Sequence, residues 1–222
     1  VEEVTHVEVT SEDDLDPDEV AGRLLGVEVV VLESHQHGPV NPGIGQHTNV
    51  IHAAAKAGVG LLAYTSAPYA DTTSMLLAQE HLGTEQVLLA SGLPYSLLRN
   101  GWYTENYAST VAGALVQGTV FAATDGGRIS AATRADFAEA AAAVLAGPGH
   151  EDSTYELGGD TGFTLAELAD ELTRLTSREI GHVEVSEAEL EQTLVGAGVP
   201  APIAAVLADV DRPGAHVDQP LD

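Results

Sequence analysis

The sequence predicts an α/β fold, a doubly wound parallel sheet followed by a smaller C-terminal lobe. Three observations carry this. Apolar β-branched runs alternate with helical patterns in the order strand, helix, strand, helix, strand, the mark of parallel βαβ units with right-handed crossovers. The strands are continuous apolar runs rather than alternating ones, as in sheets covered on both faces. Beyond residue 108 the alternation loosens into shorter elements.

Taken in order, VTHVEVT (4–10) reads as a strand, and the acidic stretch SEDDLDPDE (11–19) follows it. GVEVVVLES (26–34) is a β-branched run expected to be buried on both faces. The loop HQHGPVNPGIG comes next, then QHTNVIHAAAKAG (46–58), where Val50, Ile51 and Ala54 recur at helical spacing until Gly58 stops them. VGLLAYTS (59–66) is a second buried strand, SMLLAQEHLGTEQVLLASG (74–92) a helix, and PYSLLRN (94–100) a third strand. GTVFAATDGGRIS (118–130) gives short strands around the turn at Asp125, Gly126 and Gly127. TRADFAEAAAAVLAG (133–147) is a helix opened by a capping box of Thr133 and Asp136. STYELGGD (153–160) is a strand, FTLAELADELTRLTS (163–177) an amphipathic helix, HVEVS (182–186) a short strand, and the rest a small helical region. The expected organisation is a dinucleotide-type core over 1–110 and a mixed segment over 111–222 that completes the sheet and forms the smaller, substrate-side lobe.

Composition narrows the classes. Asp plus Glu number 34 against 8 Lys plus Arg, Lys56 being the only lysine, for a formal net charge of −26. With no basic stripe to pair with phosphates, nucleic acid and anionic membranes are excluded as partners. Such an acidic shell suits a high-salt cytoplasm or an ordinary acidic protein alike, since net charge bears on solubility and not on fold. No run reaches the about 18 apolar residues of a membrane span, and the start lacks a signal peptide's basic and apolar regions. With no cysteine, disulfides and thiolate metal sites are excluded too. The chain reads as soluble and cytoplasmic.

The segment YSLLRNGWYTENY (95–107) carries the most chemistry. A buried strand runs into Asn100, Gly101, the only tryptophan, Trp102, and then Tyr103 and Tyr107, at the carboxyl end of a strand, where open α/β sheets bind ligands. The competing reading is that these aromatics pack inward as core. Glycine at 101 suits close backbone approach to a ligand or a plain turn. Arg134, one residue into a helix, stands where the helix dipole disfavours a cation, so its side chain is expected to face an anion, either a cofactor or one of the many acids.

GVEVVVLES, HTNVIHAAAKAGVGLLAYTS, EHLGTEQVLLASGLPYSLLRNGWYTENY, ISAATRADFAEAAAAVL and YELGGD together resemble the NmrA-like branch of atypical short-chain dehydrogenases, closest to its type 2 NAD(P)H:quinone oxidoreductases. The likeness covers nearly all of residues 5–210. It implies a Rossmann-like fold, NADPH as cofactor with NADH also compatible, and a small-molecule quinone as hydride acceptor; a homodimer is compatible with it. By the same resemblance the dinucleotide is lined by Ser34, His35 and Gln36, by Asn100, Gly101, Trp102, Tyr103, Thr104 and Glu105, and by Arg134. The alternatives are a non-catalytic NmrA-like NAD(P) sensor and an inactive truncated fragment.

Two absences shape the chemistry. No Tyr-x-x-x-Lys pair is present, and Gln86 stands where NmrA-like reductases often carry a lysine, which argues against alcohol oxidation. A quinone accepts hydride and takes its proton from water, so no catalytic acid is assigned. The glycine-rich strand-to-helix turn that seats a pyrophosphate is also missing, since Gly43 and Gly45 follow the wrong strand and read as an ordinary loop. Against the expected fold, about 50–60 residues, its first β-α units, are expected to be lacking at the N-terminus, through either a fragment or a natural truncation. NADPH binding by this chain is therefore expected to be weaker than micromolar. His35, His37, His47 and His52 have no fixed ligand geometry and give no metal site. No G-x-S-x-G elbow or glycosidase-type carboxylate pair stands out.

Overall fold

The computed structural model describes residues 16–33 and 43–212. Its elements are α1 (Pro17–Arg23), β1 (Val29–Leu32), α2 (Gly43–Ala57), β2 (Leu61–Ser66), α3 (Leu76–Ser91), β3 (Tyr95–Asn100), a 3₁₀ turn (Thr104–Tyr107), α4 (Ala108–Gln117), β4 (Thr119–Ala122), α5 (Arg134–Ala146), β5 (Ser153–Leu157), α6 (Leu165–Thr176), β6 (Gly181–Glu184), α7 (Glu187–Gly196) and α8 (Ala201–Asp211). The chain forms two compact units. The first takes the described residues up to 72, with 78–100 and 139–156; the second takes 73–77, 101–138 and 157–212.

The first unit holds a four-stranded sheet in the order β1-β2-β3-β5. β1 runs parallel to β2 with Val30 beside Leu62, and β2 parallel to β3 with Tyr64 beside Leu97. This is the parallel α/β sheet that the alternation predicts. The β2 and β3 runs are buried as expected, Leu62, Ala63, Tyr64 and Leu98 being wholly covered. β1 differs: Val31 is 41% exposed. Among the described residues β1 pairs with β2 alone, at the end of the sheet, so its apolar run is covered less completely. Leu32, Ile51, Leu62, Tyr64, Leu88 and Leu97 form the core with Val20 and Leu24 of the α1 region. Each such side chain stabilises the fold by about 1.5–3 kcal/mol on burial.

Helix starts follow local chemistry. Asp16 caps α1, accepting from the Asp18 N–H at 2.9 Å, with Pro17 at the first helical position. The sequence reading missed this helix because its seven residues sit in an acidic run without a full helical period. Gly43 and Gly45, read from sequence as loop, open α2 instead. The expected capping box on α5 is present, the Asp136 N–H donating to Thr133 Oγ1 at 3.1 Å and the Thr133 N–H to Asp136 Oδ2 at 3.0 Å.

The second unit has a core of Tyr107, Val120, Ile129, Leu165, Leu172 and Ile180 beside the parallel pair β4-β6. Thr164 and Glu167 box the start of α6, and Ser186 and Glu189 that of α7. Backbone crowds one place. The Gly101 N–H donates to Leu157 O at 2.7 Å, and a Cβ on Gly101 would lie 2.9 Å from that same oxygen. A Cβ on Gly159 would collide with the Ala131 carbonyl. Glycine at 101 is thus demanded by neighbouring backbone.

The charge imbalance yields an expected result in salt. At net −26 like charges crowd the surface and oppose compaction. The screening length shrinks from about 30 Å at 0.01 M to about 3 Å at 1 M. The thermal midpoint should therefore climb steadily from about 0.05 M to about 2 M KCl; a flat or falling curve refutes the argument.

Candidate functional site

In the second unit the segment after β3 and the start of α5 are laced by backbone. The Ala132 N–H donates to Trp102 O at 3.2 Å and the Thr104 N–H to Ala132 O at 2.9 Å, an isolated parallel bridge at Tyr103 and Ala132. The Glu105 carboxylate accepts from the Arg134 backbone N–H at 3.0 and 3.2 Å, where the α5 dipole favours an anion. Glu105 thus ties the two segments together and leaves the Arg134 side chain to reach elsewhere. That guanidinium lies over the Tyr103 ring at 5.3 Å, and Phe137 packs tilted against the same ring at 5.3 Å between centroids. Among the described residues, Arg134 makes no ion pair.

The structure therefore brings Gly101, Trp102, Tyr103, Thr104, Glu105 and Arg134 together and gives them different surroundings. Trp102 packs against the apolar core. Tyr107 is 7% exposed and stacks edge-on to Phe163, which makes it core; burial, with Asp211 adding to it, pushes its hydroxyl up. Asp211 itself is pushed up to about 7, by burial first and by Glu184 second. Tyr103 is half-buried, beneath the Arg134 guanidinium. Asn100 closes β3 in the first unit. Ser34, His35 and Gln36 lie outside the described residues, as do His37 and the strand expected over 4–10.

The first unit carries a buried polar network at the carboxyl ends of its strands. Arg99 of β3 grips Glu85 of α3 in two parallel bonds, Nε to Oε1 at 2.9 Å and Nη2 to Oε2 at 2.7 Å. Ser66 of β2 donates to Glu85 Oε1 at 2.6 Å. The remaining fork of Arg99 reaches Glu156 and Asp71, each at 2.9 Å. Hydrogen bonds and charge from Glu85, then from Glu156, hold the guanidinium above its ordinary range against the effect of burial. Beside it, the Tyr64 hydroxyl pairs with His81 Nδ1 at 2.8 Å and His47 Nδ1 with Thr84 Oγ1 at 2.8 Å. Tyr64 is wholly covered and its hydroxyl pushed up by burial. None of this network was read from the sequence. Its one visible signal is a pair of polar residues, Ser66 and Arg99, toward the ends of the mostly apolar strands β2 and β3.

Comparison with known proteins gives a consistent relationship. A family model described as NAD(P)H-binding matches residues 1–148. The chain is 46% identical over 188 residues to quinone oxidoreductase 2 of Escherichia coli (strain K12), covering 85% of this chain and 65% of that protein. The chain thus spans less than two thirds of the length of the curated relatives it matches. Among solved structures, the NADPH-dependent quinone oxidoreductase of Escherichia coli complexed with NADPH superposes with a TM-score of 0.85 at 44% identity, over 89% of this chain and 69% of the other. The triphenylmethane reductase of Citrobacter sp. complexed with NADP(H) gives 0.82 at 32% identity, over 92% and 73%.

Proposed function

The chain belongs to the NAD(P)H-binding family, and on that premise we propose that it is an oxidoreductase passing hydride from NAD(P)H to a small-molecule quinone. The observation that carries this is the 46% identity to the Escherichia coli quinone oxidoreductase 2. NADPH is the cofactor proposed, with NADH as a second donor.

The residues present fit the ring side of such a cofactor. Tyr103, with Arg134 over its ring and Phe137 tilted against it, offers an aromatic edge beside a cation without an ion pair among the described residues. Bound there, the dinucleotide supplies the hydride. Arg134 would hold an anionic group of the ligand, and Tyr103 would exclude water from its ring, while Trp102, proposed with them on the family resemblance, packs against the core. Glu105 acts by positioning, since its carboxylate is occupied by the Arg134 backbone. Ser34, His35, Gln36 and Asn100 remain proposed cofactor contacts on the family resemblance, and Thr104 stands on the same ground. No residue is assigned as proton donor; the reduced quinone takes its proton from water.

Steady-state NADPH oxidation with and without benzoquinone tests the reading, using NADPH up to roughly millimolar levels because the sequence holds no glycine-rich phosphate turn. Quinone-dependent oxidation is expected, with no NADP reduction by secondary alcohols. Arg134→Ala should raise the KM for NADPH about tenfold while changing kcat less. Alcohol-dependent NADP reduction without quinone activity rejects the proposal, and NADPH binding with no turnover favours a sensor.

A further inference from the structure

Three stretches of the second unit meet backbone to backbone: residues 101–104 after β3, residues 129–132 before α5, and residues 157–159 at the end of β5. The middle stretch is bonded to both of the others. The Gly159 N–H donates to Ser130 O at 2.9 Å, while Ala132 exchanges its bonds with Trp102 and Thr104 around the Tyr103 bridge. The crossing leaves no room for a side chain at 159. A Cβ there would collide with the Ala131 carbonyl oxygen and stand 3.1 Å from the Ala131 carbonyl carbon. Gly159 is not in the left-handed region, so the demand on it is one of space and not of backbone conformation. Both crowded atoms belong to the main chain, and no flexible group can swing aside. With any larger residue the stretch itself must move.

That stretch carries Arg134. Ala131 and Ala132 run directly into Thr133, the cap of α5, and the next residue's N–H is held by Glu105 at 3.0 and 3.2 Å. Ala132 is also what spaces α5 from the 102–104 turn, and with it the guanidinium from the Tyr103 ring. Displacing Ala131 therefore shifts Ala132 and the first turn of α5, and alters where the charge of Arg134 stands. We propose that Gly159 is a positioning residue of the cofactor site: by admitting Ala131 to backbone contact, it sets where Arg134 presents its guanidinium. Gly162 offers the contrast. A Cβ on it would meet the Ser130 hydroxyl at 3.2 Å and Arg128 Cβ at 3.3 Å, side-chain atoms of the same stretch, without touching Ala131. The inference rests on the reading above, in which Arg134 meets the cofactor.

Gly159→Ala, with Gly162→Ala as its control, tests this in the full chain through thermal midpoints and NADPH kinetics with benzoquinone. Gly159→Ala should raise the KM for NADPH about fivefold and change kcat less than about twofold. In that background Arg134→Ala should add less than about twofold, against about tenfold in the parent, because the charge is already misplaced. Gly162→Ala should stay within about twofold of the parent KM, whatever its midpoint, and keep the full effect of Arg134→Ala. If Gly159→Ala does not fold, Gly159→Ala/Ala131→Gly takes its place with the same expected KM, since glycine at 131 lets that peptide turn its oxygen aside. The inference alone is overturned by an unchanged KM in the folded variant, by an equal rise in Gly162→Ala, or by an undiminished effect of Arg134→Ala beside Gly159→Ala. Failure of both residue 159 variants to fold also overturns it, because Gly159 then serves the fold. A parent that does not oxidise NADPH with benzoquinone overturns the functional reading, and the inference with it.

Discussion

Replacing Arg99 by leucine is expected to destabilise the first unit by about 3–5 kcal/mol, the ordinary cost of removing one partner from a buried ion pair. Glu85 is 2% exposed, and without Arg99 its carboxylate keeps only the Ser66 hydroxyl among its described partners. Glu156 loses its cation too, although it is 24% exposed and partly recovers in water. The double variant Arg99→Leu/Glu85→Leu should regain much of the loss, because two apolar groups of similar bulk leave no charge stranded. Urea denaturation of the single and double variants measures both. A single variant within about 1 kcal/mol of the parent would show that Glu85 finds another partner or takes up a proton without strain.

Acid should weaken the same unit through its two buried histidines. Burial pushes His47 down to about 4, and burial with the nearby His47 pushes His81 down to about 4 against a smaller upward pull from Glu85. Each is depressed in the folded state relative to the ordinary 6.5. The unfolded chain therefore binds the proton first, and stability present above pH 6.5 is lost as pH falls toward 4. Between pH 7 and pH 5 the loss is about 2 kcal/mol per histidine. Asp211, raised to about 7 in the second unit, has the opposite sign: its contribution is present at low pH and lost as pH rises through 7. Denaturation of the parent against His47→Asn/His81→Asn at both pH values isolates the histidines, since asparagine can keep the Nδ1 hydrogen bonds to Thr84 and Tyr64. Equal pH slopes in the two proteins would refute the assignment.

The sequence by itself determined the class of fold and most of its elements. β2, α3, β3, α5 and α6 fall close to their expected places, because uninterrupted β-branched runs, helical periodicity and capping residues act within a few residues of chain. It also located the aromatic and Arg134 cluster, because YSLLRNGWYTENY and TRAD are local words that survive without their context. What each member does was decided only by packing. Gly101 is fixed by the Leu157 carbonyl, 56 residues away in the chain, and Glu105 by the Arg134 backbone, 29 residues away. Trp102 and Tyr107 turn inward to Val120, Ile129 and Leu165, while Tyr103 stays half-buried beneath Arg134. The Arg99, Glu85, Glu156 and Asp71 assembly was equally invisible, since it joins β3, α3, β5 and a loop whose separation in sequence carries no periodic signal. A side chain's partners are set by which elements the sheet and helices bring within hydrogen-bond reach, and that reach is a property of the tertiary fold, not of neighbouring residues in the chain.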